Sequence, residues 1–428
     1  MSGPSFHRLL AGGRSHNREV TREGRLLSLY LGLTTSVNGF LQPFVPLYLL
    51  EAGLTKGQIG LVAGAGALMA IVLQPILGKL SDRHDARRPF VILMAIASAA
   101  SYFSFPYLHG AWAFLFAAAL GANGFMYMQG VGGVLVGRLA AVGKGGETYA
   151  QFRVWGSIGY VFVALATGLL LNRPEGLPRG RAPLDLLFHI GPLLFVAVAI
   201  IAYWLPDPKR PASSDEEPEK VRMSPNLKRF LAVDALYVAS LYGASHFISI
   251  FMRQVGGSGL LLSCVFIPGV IAEILVLRRS GAYSDHYGRR PVLAVAYMLL
   301  PIRLVLYAMA AGPYAVLAIQ SLHGLNFGIV GAVAIAFVND QADHRTRGQL
   351  QAQLSLVTAT AGAIGPSLLG KVADLWGLPA MFLTAAGMAA IATVIFLFFV
   401  DESNTHARGT GIRWLDHAFF RRRGRQVA

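Results

Sequence analysis

Three ionisable side chains set within apolar stretches carry the chemical interest of this 428-residue chain: Glu273, Arg303 and His323. An ionised group at the centre of a bilayer costs about 2.5 to 3.5 kcal/mol, so each must face protein or water. Glu273 precedes Gly281 by eight residues, about 12 Å along a helix. Arg303, counted from Pro291, and His323, counted from Pro313, fall at similar depth. Desolvation holds a proton on a carboxyl group, a nearby guanidinium releases it, and imidazole titrates at about 6.5. Such a trio suits reversible protonation. Asp234, near the start of a later apolar stretch, is a second candidate proton carrier. The competing readings are a permanent Glu273–Arg303 ion pair that locks the helices and, for His323 alone, a hydrogen-bonded packing residue.

A second group has the makings of a ligand site. Arg153 has no carboxylate partner in the apolar stretches of its half, and 111–140 contains no Asp or Glu. A guanidinium left unpaired in a cavity favours an anionic or multiply hydroxylated ligand. Tyr160, two turns further on, offers a ring to stack on. Alternatively, Arg153 snorkels to the interface and pairs with Glu147 or a lipid phosphate. Asn38 and Gln42, with Thr34, share one helical face, Asn123 lies with Tyr127 and Gln129 in another stretch, and Asn326 follows His323. These neutral groups can contact a ligand or hold membrane helices together.

The elements that must position these residues are membrane spans. The chain is 54% apolar and only 14% charged, against about a quarter charged in soluble domains, and its mean hydropathy is +0.52. Apolar runs long enough to cross a bilayer occupy 26–50, 57–80, 89–109, 111–140, 151–172 and 185–205. After a polar linker, 206–226, six more occupy 227–253, 259–283, 291–311, 313–339, 349–373 and 377–400. Basic tails, 1–25 and 401–428, flank two six-span units, 26–205 and 227–400, and no cleaved signal peptide is evident in the first. The net charge of +15 would point to nucleic acid in a soluble protein. Here 29 of the 37 Lys and Arg fall on one side of the twelve-span model and 6 on the other, which puts both termini in the cytoplasm. The tail segment with Trp414, Phe419 and Phe420 beside a run of arginines suits either an interfacial amphipathic segment on anionic lipid or a disordered basic tail.

No nucleotide-binding loop, zincin or hydrolase motif or metal-ligand cluster is present, and the single Cys264 forms no internal disulfide. An enzyme is not expected, nor a metal, cofactor or nucleic-acid partner.

An internal repeat completes the picture. Gly78, Asp82, Arg87 and Arg88 lie between spans two and three, and Gly281, Asp285, Gly288, Arg289 and Arg290 lie between spans eight and nine, with the aspartates 203 residues apart. The first copy has Asp85 in place of the glycine and one residue more. Two G-x-x-x-D-x-x-G-R-R-type loops at equivalent places resemble the signature of the major facilitator superfamily. The resemblance implies an all-α integral membrane protein with twelve transmembrane helices in two pseudo-symmetric six-helix bundles around a central site. The segment from Tyr149 to Tyr160, with Glu273, Arg303 and 322–328, is similar to the oligosaccharide, nucleoside and phenylpropionate proton symporters. That similarity implies a monomer in the plasma (bacterial inner) membrane moving a small polar or anionic solute with a proton, driven by the gradient, with lipid as its other partner. Asn326 stands one turn after the histidine, where the sugar permeases carry a glutamate, and Leu135 where they carry a helix-four carboxylate. A drug/proton efflux antiporter of the same fold is the alternative, and a non-transporting membrane sensor a third.

Overall fold

The computed structural model describes residues 23–84, 86–142, 145–171, 180–205, 223–343, 346–404 and 407, without the side chains of 137–154 and 278. The linker 206–222 and the greater part of both tails lie outside the described residues. In the first half the helices are α1 (23–36), α2 (Asn38–Glu51), α3 (Lys56–Arg83), α4 (Arg88–Phe103), α5 (Ala111–Val142), α6 (Gly145–Leu171), α7 (Ala182–Ile190) and α8 (Leu193–Trp204). In the second they are α9 (Pro225–Ser245), α10 (Ile248–Gln254), α11 (Gly259–Cys264), α12 (Ile267–Tyr287), α13 (Arg289–Met309), α14 (Pro313–Gln320), α15 (His323–Asn339) and α16 (Arg347–Phe399).

Several spans are broken helices. The first is α1–α2, the sixth α7–α8, the seventh α9–α10, the eighth α11–α12 and the tenth α14–α15. Gly191-Pro192 interrupts the sixth, and Pro268 at the start of α12 has no N–H to continue the eighth. The seventh bends by 40° between Ser245 and Ile248. Spans eleven and twelve form one helical run of 53 residues that turns at Gly377, whose φ of 82° is open to glycine. Side-chain caps start other helices. Thr55 and Gln58 form a reciprocal capping box on α3, Ser224 caps α9 and Ser258 caps α11. The result is twelve spans in two bundles.

The bundles repeat one another. In the first, α3 packs on α5, α4 on α8 and α2 on α6; in the second, α12 packs on α15, α13 on α16 and α9 on α16. Gly39 lets α2 approach the backbone of Tyr160, and Gly243 lets α9 approach that of Gly365. Stacked rings fill equivalent seams, Tyr102 on Phe195 in one half and Tyr297 on Phe396 in the other.

Among the described residues, extensive contact between the bundles is made by α3 with α16, by α6 with α11 and α12, and by α2 with α10 and α11. The close approaches, Gly60 on Pro366, Gly64 on Ala363, Gly168 on Ser263 and Gly259 on Leu171, lie toward the end away from the two signature loops. At the loop end, Gly78, Gly130, Gly133, Gly281, Gly331 and Gly348 face open space. Among the described residues, the extensive contacts between the halves gather toward the end away from those loops.

Candidate functional site

The seam between α12 and α15 brings the backbone of Glu273 against Gly324, the residue after His323. Gly324 lies against the backbone of Ala272 and Glu273, Gly328 against the Val276 side chain, and Gly269 against the Gln320 carbonyl and the His323 Cβ. Glycine at these three positions lets the helices approach closely, backbone to backbone at Gly324. Glu273 is buried, and the His323 ring stacks on Phe327 with 5.4 Å between centroids. The buried Nδ1 of His323 has no hydrogen-bond partner.

Arg303 projects from α13 toward the same region and is only 1% exposed. It is not held by Glu273. Its Nη1 donates to Asn326 Oδ1 at 3.4 Å, its Nη2 to Gln320 Oε1 at 3.2 Å, and its guanidinium lies 5.5 Å from the Tyr307 ring centroid. The permanent Glu273–Arg303 ion pair entertained from the sequence is therefore absent. Neutral dipoles hold this cation. The Tyr307 hydroxyl also donates to Gln320 Oε1, and Asn326 Nδ2 donates to the Tyr237 hydroxyl at 3.2 Å and to the Ala296 carbonyl at 2.8 Å.

Asp234 belongs to this network. It is 1% exposed, and its Oδ1 accepts from the Tyr297 hydroxyl at 3.0 Å. The Tyr297 ring stacks on Tyr237 with centroids 4.3 Å apart. A line of contacts thus runs from Asp234 through Tyr297, Tyr237 and Asn326 to Arg303. Carboxylate and guanidinium lie in one apolar bundle, joined only through neutral groups.

The expected ligand residues separate into two kinds. Asn123 donates to Gly66 O at 3.0 Å and to Ala119 O at 2.8 Å while its carbonyls receive Gln74. It clamps α5 to α3. Asn326 likewise has its amide and carbonyl engaged. In both, these groups are bonded inside the protein, which is the helix-holding alternative of the two. By contrast Asn38 is partly exposed and Gln42 exposed, with neither side chain in a hydrogen bond among the described residues. The Tyr160 hydroxyl is buried without a partner. The side chain of Arg153 lies outside the described residues.

The signature loops tie helix ends together within each half. Arg87 pairs with Asp82 at 2.9 Å, and Arg88 donates to the Tyr203 carbonyl at the end of α8. In the second copy Arg289 pairs with Asp285 and, at 3.0 Å, with Asp340, while Arg290 donates to the Leu397 carbonyl near the end of α16. Gly288 has a φ of 106°, which explains glycine there. Gly78 and Gly281 meet open space, so they serve no close helix approach here.

Sequence reasoning missed Tyr237, Tyr297, Tyr307 and Gln320. Their signal was weak: polar groups of ordinary type, significant only because their rotational phase aims them at Arg303 and Asp234. It also missed Glu402, whose carboxylate accepts the backbone N–H of Arg289 and Arg290, both at 2.9 Å, and so caps α13.

Comparison with known proteins decides the family. The MFS_1 like family model matches residues 25–400. The chain belongs to that family of major facilitator transporters. An uncharacterized MFS-type transporter of Mycobacterium tuberculosis is 24% identical over 407 residues, covering 89% of this chain and 94% of that protein. The multidrug resistance protein MdtG of Salmonella arizonae is 21% identical over 375 residues, 83% of this chain and 90% of that one. The crystal structure of the nucleoside transporter NupG superposes with a TM-score of 0.72 at 16% identity, covering 87% of this MFS chain and 98% of that one. The protein is thus an integral membrane transporter rather than an enzyme.

Proposed function

We propose that this MFS transporter moves a small polar solute together with a proton by alternating access, as a monomer in the bacterial inner membrane. The observation that carries the reading is the buried line from Asp234 through Tyr297, Tyr237 and Asn326 to Arg303. Ionisable residues inside a membrane bundle are costly and are retained for function. Because Arg303 is held by the neutral groups of Asn326, Gln320 and Tyr307, protonation of Asp234 changes the net charge of the network by a full unit. Glu273 and His323 on the adjoining seam give the proton a second place to rest.

The distribution of basic residues supports cytoplasmic termini and signature loops. In that orientation the molecule, closed away from the loops, faces inward. Asn38, Gln42 and Tyr160 supply neutral donors and acceptors for a hydroxylated solute, and Arg153 would add selectivity for an anionic group. No cofactor enters the scheme: the proton gradient supplies the work, about 2.3 kcal/mol per charge at 100 mV.

The deciding experiment uses energised vesicles and a solute found by thermal-shift screening of nucleosides, oligosaccharides and aromatic acids. Accumulation collapses on adding a protonophore. Asp234→Asn keeps solute counterflow but loses protonophore-sensitive accumulation. Accumulation indifferent to the protonophore refutes the coupling. Similarity to MdtG supports drug/proton antiport as a second reading, which a drug-susceptibility panel on expressing cells tests.

A further inference from the structure

We propose that Asp374, seated on the N-terminus of α3, and the Glu51–Arg253 ion pair are the lock that closes the transporter at the end away from its signature loops. The first N–H groups of a helix have no partner within it and carry partial positive charge. Thr55 already serves the Gln58 amide at the start of α3. Asp374, on α16 in the other bundle, takes the remaining ones. Its Oδ1 accepts from Lys56 N and its Oδ2 from Gly57 N, both at 2.7 Å. A carboxylate bonded twice to a helix terminus makes charge-assisted, directional bonds. Gly57 permits them, since a Cβ there would stand 2.8 Å from Oδ2.

The second element joins the same two bodies. Glu51 ends α2 and Arg253 lies near the end of α10; Oε1 and Nη2 are 3.2 Å apart, with side chains 15% and 16% exposed. Burial to this degree limits screening by salt. Between these polar contacts the α3–α16 seam is backbone against backbone, and Ser367 reaches across it to the Gly60 carbonyl at 3.2 Å. Such a seam supplies shape and dispersion. The directional strength comes from Asp374 and Glu51. The ion pairs of the signature loops, Asp82–Arg87 and Asp285–Arg289, each stay within one bundle. They do not hold the bundles together in this state.

The inference rests on the alternating-access reading, in which this end must part once in each cycle. Its test needs no solute. With Cys264 replaced by serine, Ser367→Cys places one thiol on the seam, and a membrane-impermeant maleimide is applied to intact cells. Asp374→Asn and Glu51→Gln each raise the labelling rate about tenfold, equivalent to about 1.4 kcal/mol, and Asp374→Glu restores it toward the parent rate. Each variant is first shown to melt as the parent does in detergent. If Asp374→Asn misfolds, Glu51→Gln alone decides. Equal labelling of parent and folded variants overturns the lock. A rise seen only when the reagent is applied to inverted vesicles upholds the lock and overturns the assigned orientation.

Discussion

Gly60 and Gly365 offer a matched pair of perturbations. A Cβ on Gly60 would fall inside 3.0 Å of the Pro366 carbonyl in the opposite bundle, and one on Gly365 inside 3.0 Å of the Ala239 carbonyl in its own. Neither obstacle is a flexible side chain, so the helices themselves must move apart by some tenths of an ångström or more. Overpacking of this kind costs about 1 to 3 kcal/mol, offset by up to about 1 kcal/mol from the better helix propensity of alanine. On the proposed alternating access, the α9–α16 seam at Gly365 persists throughout the cycle and the α3–α16 seam parts in it, so Gly365→Ala spends its cost on the fold and lowers the melting temperature. The α3–α16 seam at Gly60 exists only while that end is closed. Gly60→Ala therefore leaves the melting temperature near that of the parent and shifts the population toward the opposite-facing state, a shift of 1 to 3 kcal/mol being about 5- to 150-fold. The assay combines thermal melting with maleimide labelling of Ser367→Cys in the Cys264→Ser background. If Gly60→Ala destabilises as much as Gly365→Ala and leaves labelling unchanged, the seam does not part and the account of the moving halves is wrong.

Two further outcomes follow from the hydrogen bonds. Glu402→Ala removes both acceptors from the start of α13, a loss of about 1 to 2 kcal/mol by analogy with other caps, and hydrogen–deuterium exchange at residues 289–292 rises about tenfold, while Glu402→Gln gives an intermediate rate. Asn123→Leu removes the side-chain bond to the Gly66 carbonyl, while Gln74 keeps the backbone carbonyl of residue 123, a loss of about 0.5 to 1.5 kcal/mol; the melting temperature falls while the half-saturating solute concentration stays unchanged, whereas a changed half-saturation would return Asn123 to the binding site.

The spans and the duplicated loops were legible because each is a property of the chain read in order. Apolar run length gives spans, and spacing gives the repeat. Partnership between helices was not legible. Glu273 and Arg303 look like an ion pair when only depth is counted, since Glu273 lies fourteen residues before the end of α12 and Arg303 fourteen after the start of α13. Their rotational phases differ, and phase depends on glycine seams such as Gly269, Gly324 and Gly328 that set how closely α12 meets α15. Arg303 instead turns toward Gln320 and Asn326. The cross-bundle contacts of Asp374 and Glu51 were hidden for a related reason. Both residues lie at span ends, where a carboxylate reads as solvated surface until the opposing helix terminus is seen.

The repeat also explains why the chemistry is lodged in one bundle. Gly39 and Gly243 do equivalent work, each opening the first span of its half to a neighbouring backbone. Nine residues before them stand Tyr30 and Asp234. Tyr30 donates to the Met128 carbonyl of α5, a neutral bond that tightens its bundle. Asp234 at the corresponding place accepts from Tyr297 and opens the line to Arg303. One scaffold, used twice, supplies two bodies of matching shape that can rock against each other. On the proposed proton coupling, a proton taken up by Asp234 alters the bonding of the second bundle, and the glycine seam with the Asp374 and Glu51 contacts is where that alteration would reach the first.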